Sequence, residues 1–98
     1  MTIEIKRTAE ETIIELAGRL DTTTAPALDK TISTDIGDTQ NLVLDLKGLE
    51  YISSAGLRVL LAAQKRMKKV GSMKLRNVCE EVMEVFEMTG FADILTID

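Results

Sequence analysis

Ser53 and Ser54 stand side by side in Leu49-Glu50-Tyr51-Ile52-Ser53-Ser54-Ala55-Gly56-Leu57-Arg58-Val59-Leu60-Leu61, between a strand-like run and a strongly apolar helical run. Hydroxyls at such a junction can accept from the free N–H groups of a helix's first turn. The same position favours added negative charge, because the helix dipole and those N–H groups attract an anion. A phosphate there would change the local charge sharply. The pair therefore reads as an ordinary helix cap, a regulated phosphoacceptor, or both. Two serines are present where one cap would do. Ala55 and Gly56 leave the helix start bare, so another protein's backbone could come close. The pair also follows an apolar strand, at the sheet edge where open α/β folds place their sites.

Other chemistries are constrained by what is missing. The 98 residues include no His, which removes Ser-His-Asp and Cys-His pairs, the commonest metal ligand and the usual general base. The single Cys79 allows neither an internal disulfide nor a multi-Cys zinc site. Neither standard glycine-rich phosphate loop is present. The sequence therefore predicts no catalytic residue, no cofactor and no metal. Asp21 and Asp45 could suggest paired carboxylates, but Asp21 reads equally as a helix cap and Asp45 as a group satisfying nearby backbone. Lys65-Arg66-Met67-Lys68-Lys69 reads as a solvated helix end, with Glu80, Glu81, Glu84 and Glu87 following on the next helix. Cys79 reads as a small core residue, and Met67, Met73, Met83 and Met88 mostly as core filler.

The elements that position these residues follow from periodicity. Ile3 and Ile5 alternate with polar residues, and Thr12 to Ala17 gives a second strand that Gly18 ends. A short charged connection makes the two a hairpin. Asp21-Thr22-Thr23-Thr24-Ala25-Pro26 starts a helix with Leu28, Ile32 and Ile36 as its stripe, closed by Gly37-Asp38. Leu42 to Leu46 is almost unbroken in apolar character and predicts a strand covered on both faces. Leu57 to Val70 is the strongest helix, its first half buried, and Gly71 stops it. Met73 to Arg76 is a strand. Asn77 and Glu80 resemble a capping box for a helix with Val82, Val85, Phe86 and Thr89 inside. Ile94 to Ile97 reads as a last strand. The order is β-β-α-β-α-β-α-β, an α/β sandwich with a mixed sheet, in one domain over residues 1–98.

Hydrophobic residues at 45% suffice for a core, and only 3% are aromatic. The net charge of −4 argues against nucleic acid as a main partner. No apolar run approaches the roughly 18 residues of a membrane span, and Met1 to Lys6 lacks a signal-peptide core. The expectation is a soluble, cytoplasmic protein with no membrane partner, a monomer or weak dimer.

Tyr51-Ile52-Ser53-Ser54-Ala55-Gly56-Leu57 resembles the signature of the STAS domain, and of bacterial anti-sigma factor antagonists in particular. Gly18-Arg19-Leu20-Asp21, Leu42 to Leu46 and Phe86-Glu87-Met88-Thr89-Gly90-Phe91 extend the resemblance over essentially the whole chain. It implies partner switching. An unphosphorylated antagonist binds an anti-sigma factor, a histidine-kinase-like serine kinase, which then releases its sigma factor. Phosphorylation dismisses the antagonist, and a serine phosphatase resets it. Carried over, Ser54 is the acceptor, Ser53 stands where the family has Asp and is the second-choice acceptor, and Asp21 matches a family Asp close to this loop. The implied docking surface takes in Asp21, Thr22, Thr23 and Thr24, then Ser53, Ser54, Ala55, Gly56, Leu57 and Arg58, with the exposed face of the long helix. Two other functions stay open for this fold: an interaction module of a stressosome-like or transporter-associated system, and a weak nucleotide-binding protein.

Overall fold

The computed structural model describes all residues, Met1–Asp98. The hairpin forms as its alternation requires: β1 (Thr2–Arg7) pairs antiparallel with β2 (Thr12–Leu20). α1 (Ala25–Thr34) then crosses over to β3 (Asn41–Ile52), which runs parallel to β2. α2 (Ser54–Val70) crosses to β4 (Ser72–Arg76), parallel to β3, and α3 (Glu80–Thr89) follows. The result is a four-stranded mixed sheet in the order β1-β2-β3-β4.

All three helices cover one face of the sheet. In-register Ile14, Leu44 and Leu75, with Leu42 beside Met73, meet Leu28 and Ile32 of α1, Leu60 and Met67 of α2, and Val82 and Phe86 of α3 in one cluster. The opposite face carries no helix, contrary to the covering on both faces that Leu42 to Leu46 predicts. Val43 and Asp45 are buried there by their sheet neighbours instead: Val43 lies between Ile13 and Lys74, and Asp45 holds Arg76 and Asn77.

β3 reaches Ile52, well past the apolar run that announces it. Two register shifts against β2 insert an extra residue each, so Leu46, Leu49 and Ile52 are buried at every third position and strict alternation is lost. Gly48 permits the first of these irregularities, since a Cβ there would lie 2.7 Å from the Cβ of Ala17. β2 likewise continues through Gly18 to Leu20, so Gly18 bends the strand and does not end it.

Other local expectations change as well. Phe91–Asp93 forms a 3-10 turn, and the anticipated last strand shrinks to a single parallel bridge between Ile97 and Leu75. Hydrogen bonds from the N–H groups of Ile94 and Leu95 to the Phe91 carbonyl curl the segment before it can extend. Asn77 makes no capping box. It has φ of 57° and gives its side-chain amide to Asp45, while Cys79 takes the N-cap of α3. Thr89 and Met88 are exposed. The first half of α2 is buried on one side only, with Arg58 and Ala62 exposed, because α1 and the sheet reach it from one direction.

Candidate functional site

Two chain segments meet where β2 and β3 end. The Ser53 N–H donates to the Leu20 carbonyl at 2.9 Å, which closes the strand pair just before each chain leaves the sheet. Asp21 follows Leu20 and Ser54 follows Ser53, so the two segments named from sequence lie together at the C-terminal edge of the parallel strands.

On the β2 side, Asp21 organises a tight turn. Its Oδ1 accepts the Thr23 N–H at 3.0 Å, the Thr23 hydroxyl at 2.8 Å and the Thr24 N–H at 3.2 Å. The Thr24 hydroxyl accepts the Asp21 N–H at 2.9 Å and donates to the Arg19 carbonyl at 2.8 Å. The Thr23 hydroxyl is the main reason the Asp21 carboxyl sits below its ordinary range; slight burial opposes it and the two N–H groups reinforce it. Thr22 and Thr23 remain exposed, with Asp21 and Thr24 half-buried.

On the β3 side, the serines have different surroundings. Ser53 is the N-cap of α2 by its backbone, its carbonyl accepting the Leu57 N–H at 3.0 Å, but its side chain makes no capping bond. Its Oγ is buried and has no hydrogen-bond partner. Ser54 is the first residue of the helix and is exposed. Neither hydroxyl caps α2, so the cap reading accounts for neither serine. The first turn of α2 carries no acidic side chain, which leaves its positive end uncompensated.

Gly56 and Leu57 face inward. A Cβ on Gly56 would lie 2.7 Å from Leu20 Cγ and 2.8 Å from Ile52 Cγ1, so the missing side chain lets α2 settle on the strand ends. The glycine opens space toward the core and not toward a partner, a correction to its expected role. Gly56 and Leu57 set the height of the surface that Ser54, Ala55 and Arg58 present. Beside Ser54, a shallow groove of about 370 Å³ runs between the helices, with Ala25 and Pro26 of α1 facing Ala55, Val59 and Ala62 of α2.

The sequence did not single out two neighbours of this surface. The Arg19 guanidinium lies 4.1 Å above the Tyr51 ring, and Arg19 Nε approaches Asp21 Oδ2 at 3.9 Å. Tyr51 is 41% exposed, an aromatic held at the surface by a stacked cation. Only the β2–β3 register, which sets Arg19 opposite Tyr51, brings them together.

Asp45 does a separate job. Burial pushes its carboxyl up, but the Asn77 amide at 3.0 Å, the Lys47 N–H at 3.1 Å and Arg76 Nε at 3.3 Å outweigh it and hold the group below its ordinary value. Asp21 and Asp45 share no partner. Both are held low, whereas acid–base pairs need their values pushed apart. Cys79 is half-buried, and its Sγ donates to the Leu49 carbonyl at 3.3 Å. Within the basic run, Arg66 donates to the Ile32 carbonyl at 3.0 Å and ties α2 to the end of α1; Lys65, Lys68 and Lys69 are exposed and make no ion pair. No helix is long and apolar enough to cross a membrane.

Known proteins resemble the chain over nearly its whole length. The STAS domain family model matches residues 2–98. The chain is 31% identical over 98 residues to the anti-sigma-B factor antagonist of Bacillus subtilis, covering 99% of this chain and 90% of that one. Its fold superposes on an anti-sigma factor antagonist from Mycobacterium paratuberculosis with a TM-score of 0.88 at 24% identity, over 98% of this chain and 83% of that one. It also superposes on SpoIIAA in its unphosphorylated form, with a TM-score of 0.83 at 22% identity over 99% and 88% of the two chains. For SpoIIAA of Bacillus in the phosphorylated form, the TM-score is 0.76 at 23% identity over 99% and 91%.

Proposed function

The chain belongs to the STAS domain family of anti-sigma factor antagonists, and from that premise we propose that it is a partner-switching regulator whose switch is Ser54. In this reading the unphosphorylated protein docks an anti-sigma factor and frees a sigma factor. It is a substrate and not a catalyst. The anti-sigma factor, a histidine-kinase-like serine kinase, transfers the γ-phosphoryl group of ATP to Ser54 Oγ. The new O–P bond replaces the bond to the leaving ADP, and the serine proton passes to a base on the kinase. A serine phosphatase hydrolyses the ester and resets the protein, all in the cytoplasm.

The observation that carries this reading is the exposed Ser54 at the first position of α2, with no capping duty and no acidic neighbour in the first turn. A phosphate there adds roughly −1.5 to −2 charge next to free N–H groups that tolerate it. The domain therefore need not rearrange. The effect falls on the partner, through repulsion from its acidic groups and the cost of burying a dianion at an interface. A loss of about 3 kcal/mol weakens binding roughly a hundredfold. Ser53 is the weaker acceptor, since its Oγ is buried. The docking surface is the Asp21–Thr24 turn, Ser54, Ala55 and Arg58, supported from beneath by Gly56 and Leu57.

The test uses wild type, Ser54→Ala and Ser54→Glu as parallel baits, with captured proteins identified by mass spectrometry. Wild type and Ser54→Ala should hold an ATPase-type anti-sigma factor that Ser54→Glu loses, with unchanged circular dichroism for all three. Equal capture by Ser54→Glu would refute the switch.

A further inference from the structure

Arg58 stands four residues after Ser54 on α2, and both residues are exposed. Residues at that spacing are neighbours on one helix face, and an anion N-terminal to the cation is the favourable order. Long helical side chains lean toward the helix N-terminus, so Arg58 covers the turn that holds Ser54. Its guanidinium is uncommitted. Arg58 makes no ion pair, and the arginine side-chain hydrogen bonds come from Arg66 and Arg76. Asp29 is the only acid lining the groove that Arg58 also lines, and it does not hold the cation.

The other groups around Ser54 offer a phosphate no such partner. Leu57, three residues after Ser54, is buried, and Arg19 is engaged with Tyr51 and Asp21 at the strand ends. Arg58 is therefore the one cation of the docking surface. The same spacing also separates the two serines. Gly56 and Leu57 lie three and four residues after Ser53, and both are buried and uncharged. A phosphate on Ser53 would have no cation at helical spacing. One on Ser54 has Arg58.

We propose that Arg58 is the switch's own phosphate-binding residue: once Ser54 is phosphorylated, the guanidinium closes back one turn onto the phosphate. The inference rests on the phosphoacceptor reading of Ser54 and adds how the modified state is held. The phosphate then has helix N–H groups on one side and a planar arginine fork on the other. Phosphorylation acts twice on the surface. It adds an anion, and it withdraws the cation that would otherwise meet a partner's acidic groups.

The test uses the full chain with phosphoserine inserted at position 54 during synthesis, so no kinase is needed. 31P NMR titrates the phosphate in wild type, Arg58→Lys and Arg58→Gln. The helix start lowers the second phosphate pKa from roughly 6 in all three. Arg58 favours the dianion, so the wild-type value should lie at least about 0.3 below that of Arg58→Gln, with Arg58→Lys between them. The Arg58 Nε–H signal should shift on phosphorylation in 15N-correlated spectra. Thermal unfolding of each variant checks that the exposed change leaves the fold intact. Equal phosphate values in wild type and Arg58→Gln, or an unmoved Nε–H signal, would overturn the proposal. Equal capture of an anti-sigma factor by Ser54→Glu would instead sink the switch reading, whatever the phosphate value, so the two failures are separable.

Discussion

Leu20 lies directly beneath Gly56: a Cβ on the glycine would sit 2.7 Å from Leu20 Cγ and 2.9 Å from Leu20 Cδ2. The start of α2, and with it Ser54, is thereby held at a height fixed by the end of β2. Alanine normally gains about 1 kcal/mol over glycine inside a helix, but overpacking a filled site costs about 1–3 kcal/mol. Gly56→Ala is therefore expected to destabilise by about 1 kcal/mol net in urea unfolding. It should also weaken anti-sigma factor binding, because the helix start must rise. Gly56→Ala more stable than wild type would show that Leu20 repacks freely.

Ser53 makes a contrasting case. Its buried Oγ has no partner, so deleting it removes no hydrogen bond. Ser53→Ala should change stability by less than about 0.5 kcal/mol, whereas removing a working N-cap hydroxyl costs typically about 1 kcal/mol. Chemical denaturation decides between them.

Tyr51 offers an exposed aromatic three residues before Ser54, preorganised by Arg19 at 4.1 Å. Buried aromatic anchors dominate many interfaces, at about 2 kcal/mol or more each. Tyr51→Ala should weaken binding to the anti-sigma factor roughly thirtyfold by calorimetry and leave the melting temperature nearly unchanged. A full-strength complex with Tyr51→Ala would place the interface elsewhere.

Asp45 sets a stability trend at low pH. Its carboxyl is held below the ordinary 3.8, so it binds fewer protons folded than unfolded. That contribution is fully present above the unfolded value and is lost as pH falls through the lower folded one. Wild type should lose stability on acidification below about pH 4, more steeply than Asp45→Asn. Asp21 adds to the same trend with the same sign. Identical acid slopes for wild type and Asp45→Asn would show that the Asn77, Lys47 and Arg76 contacts do not favour the charged form.

Asn77 links this carboxylate to the backbone. At φ of 57° it occupies the left-handed region that Asn tolerates better than most residues, and its amide holds Asp45 Oδ1. Asn77→Ala should lose both advantages and destabilise by about 1–2 kcal/mol. Asn77→Gly relieves the backbone and should recover part of that loss, a difference readable in parallel melts.

The helical stripes were legible without coordinates. Leu28, Ile32 and Ile36, and then Val82 and Phe86, recur at helical spacing and are all buried, because an apolar face dictates burial wherever the helix docks. Thr89, expected inside, is exposed, and the long helix, expected buried over its whole first half, buries one side only. The hairpin and the strand at Leu42 were legible for the same reason. The end of β3 was not: its two irregularities turn a period of two into a period of three, and no single-strand pattern announces that. The last strand failed for a related reason, since Ile94 to Ile97 has strand-forming residues but Phe91 to Asp93 curls first.

By itself, then, the sequence determined the α/β class, the inner stripe of α1 and the adjacency of two hydroxyls to a helix start, all consequences of local composition and spacing. Only the tertiary structure decided which serine is free. Close packing on Leu20 and Ile52 turns Gly56 inward, Ser53 Oγ is buried, and Ser54 alone of the pair stands in solvent. It alone also set Arg19 over Tyr51. These relations depend on strand register and on close packing, and both are fixed by contacts between residues far apart in the chain.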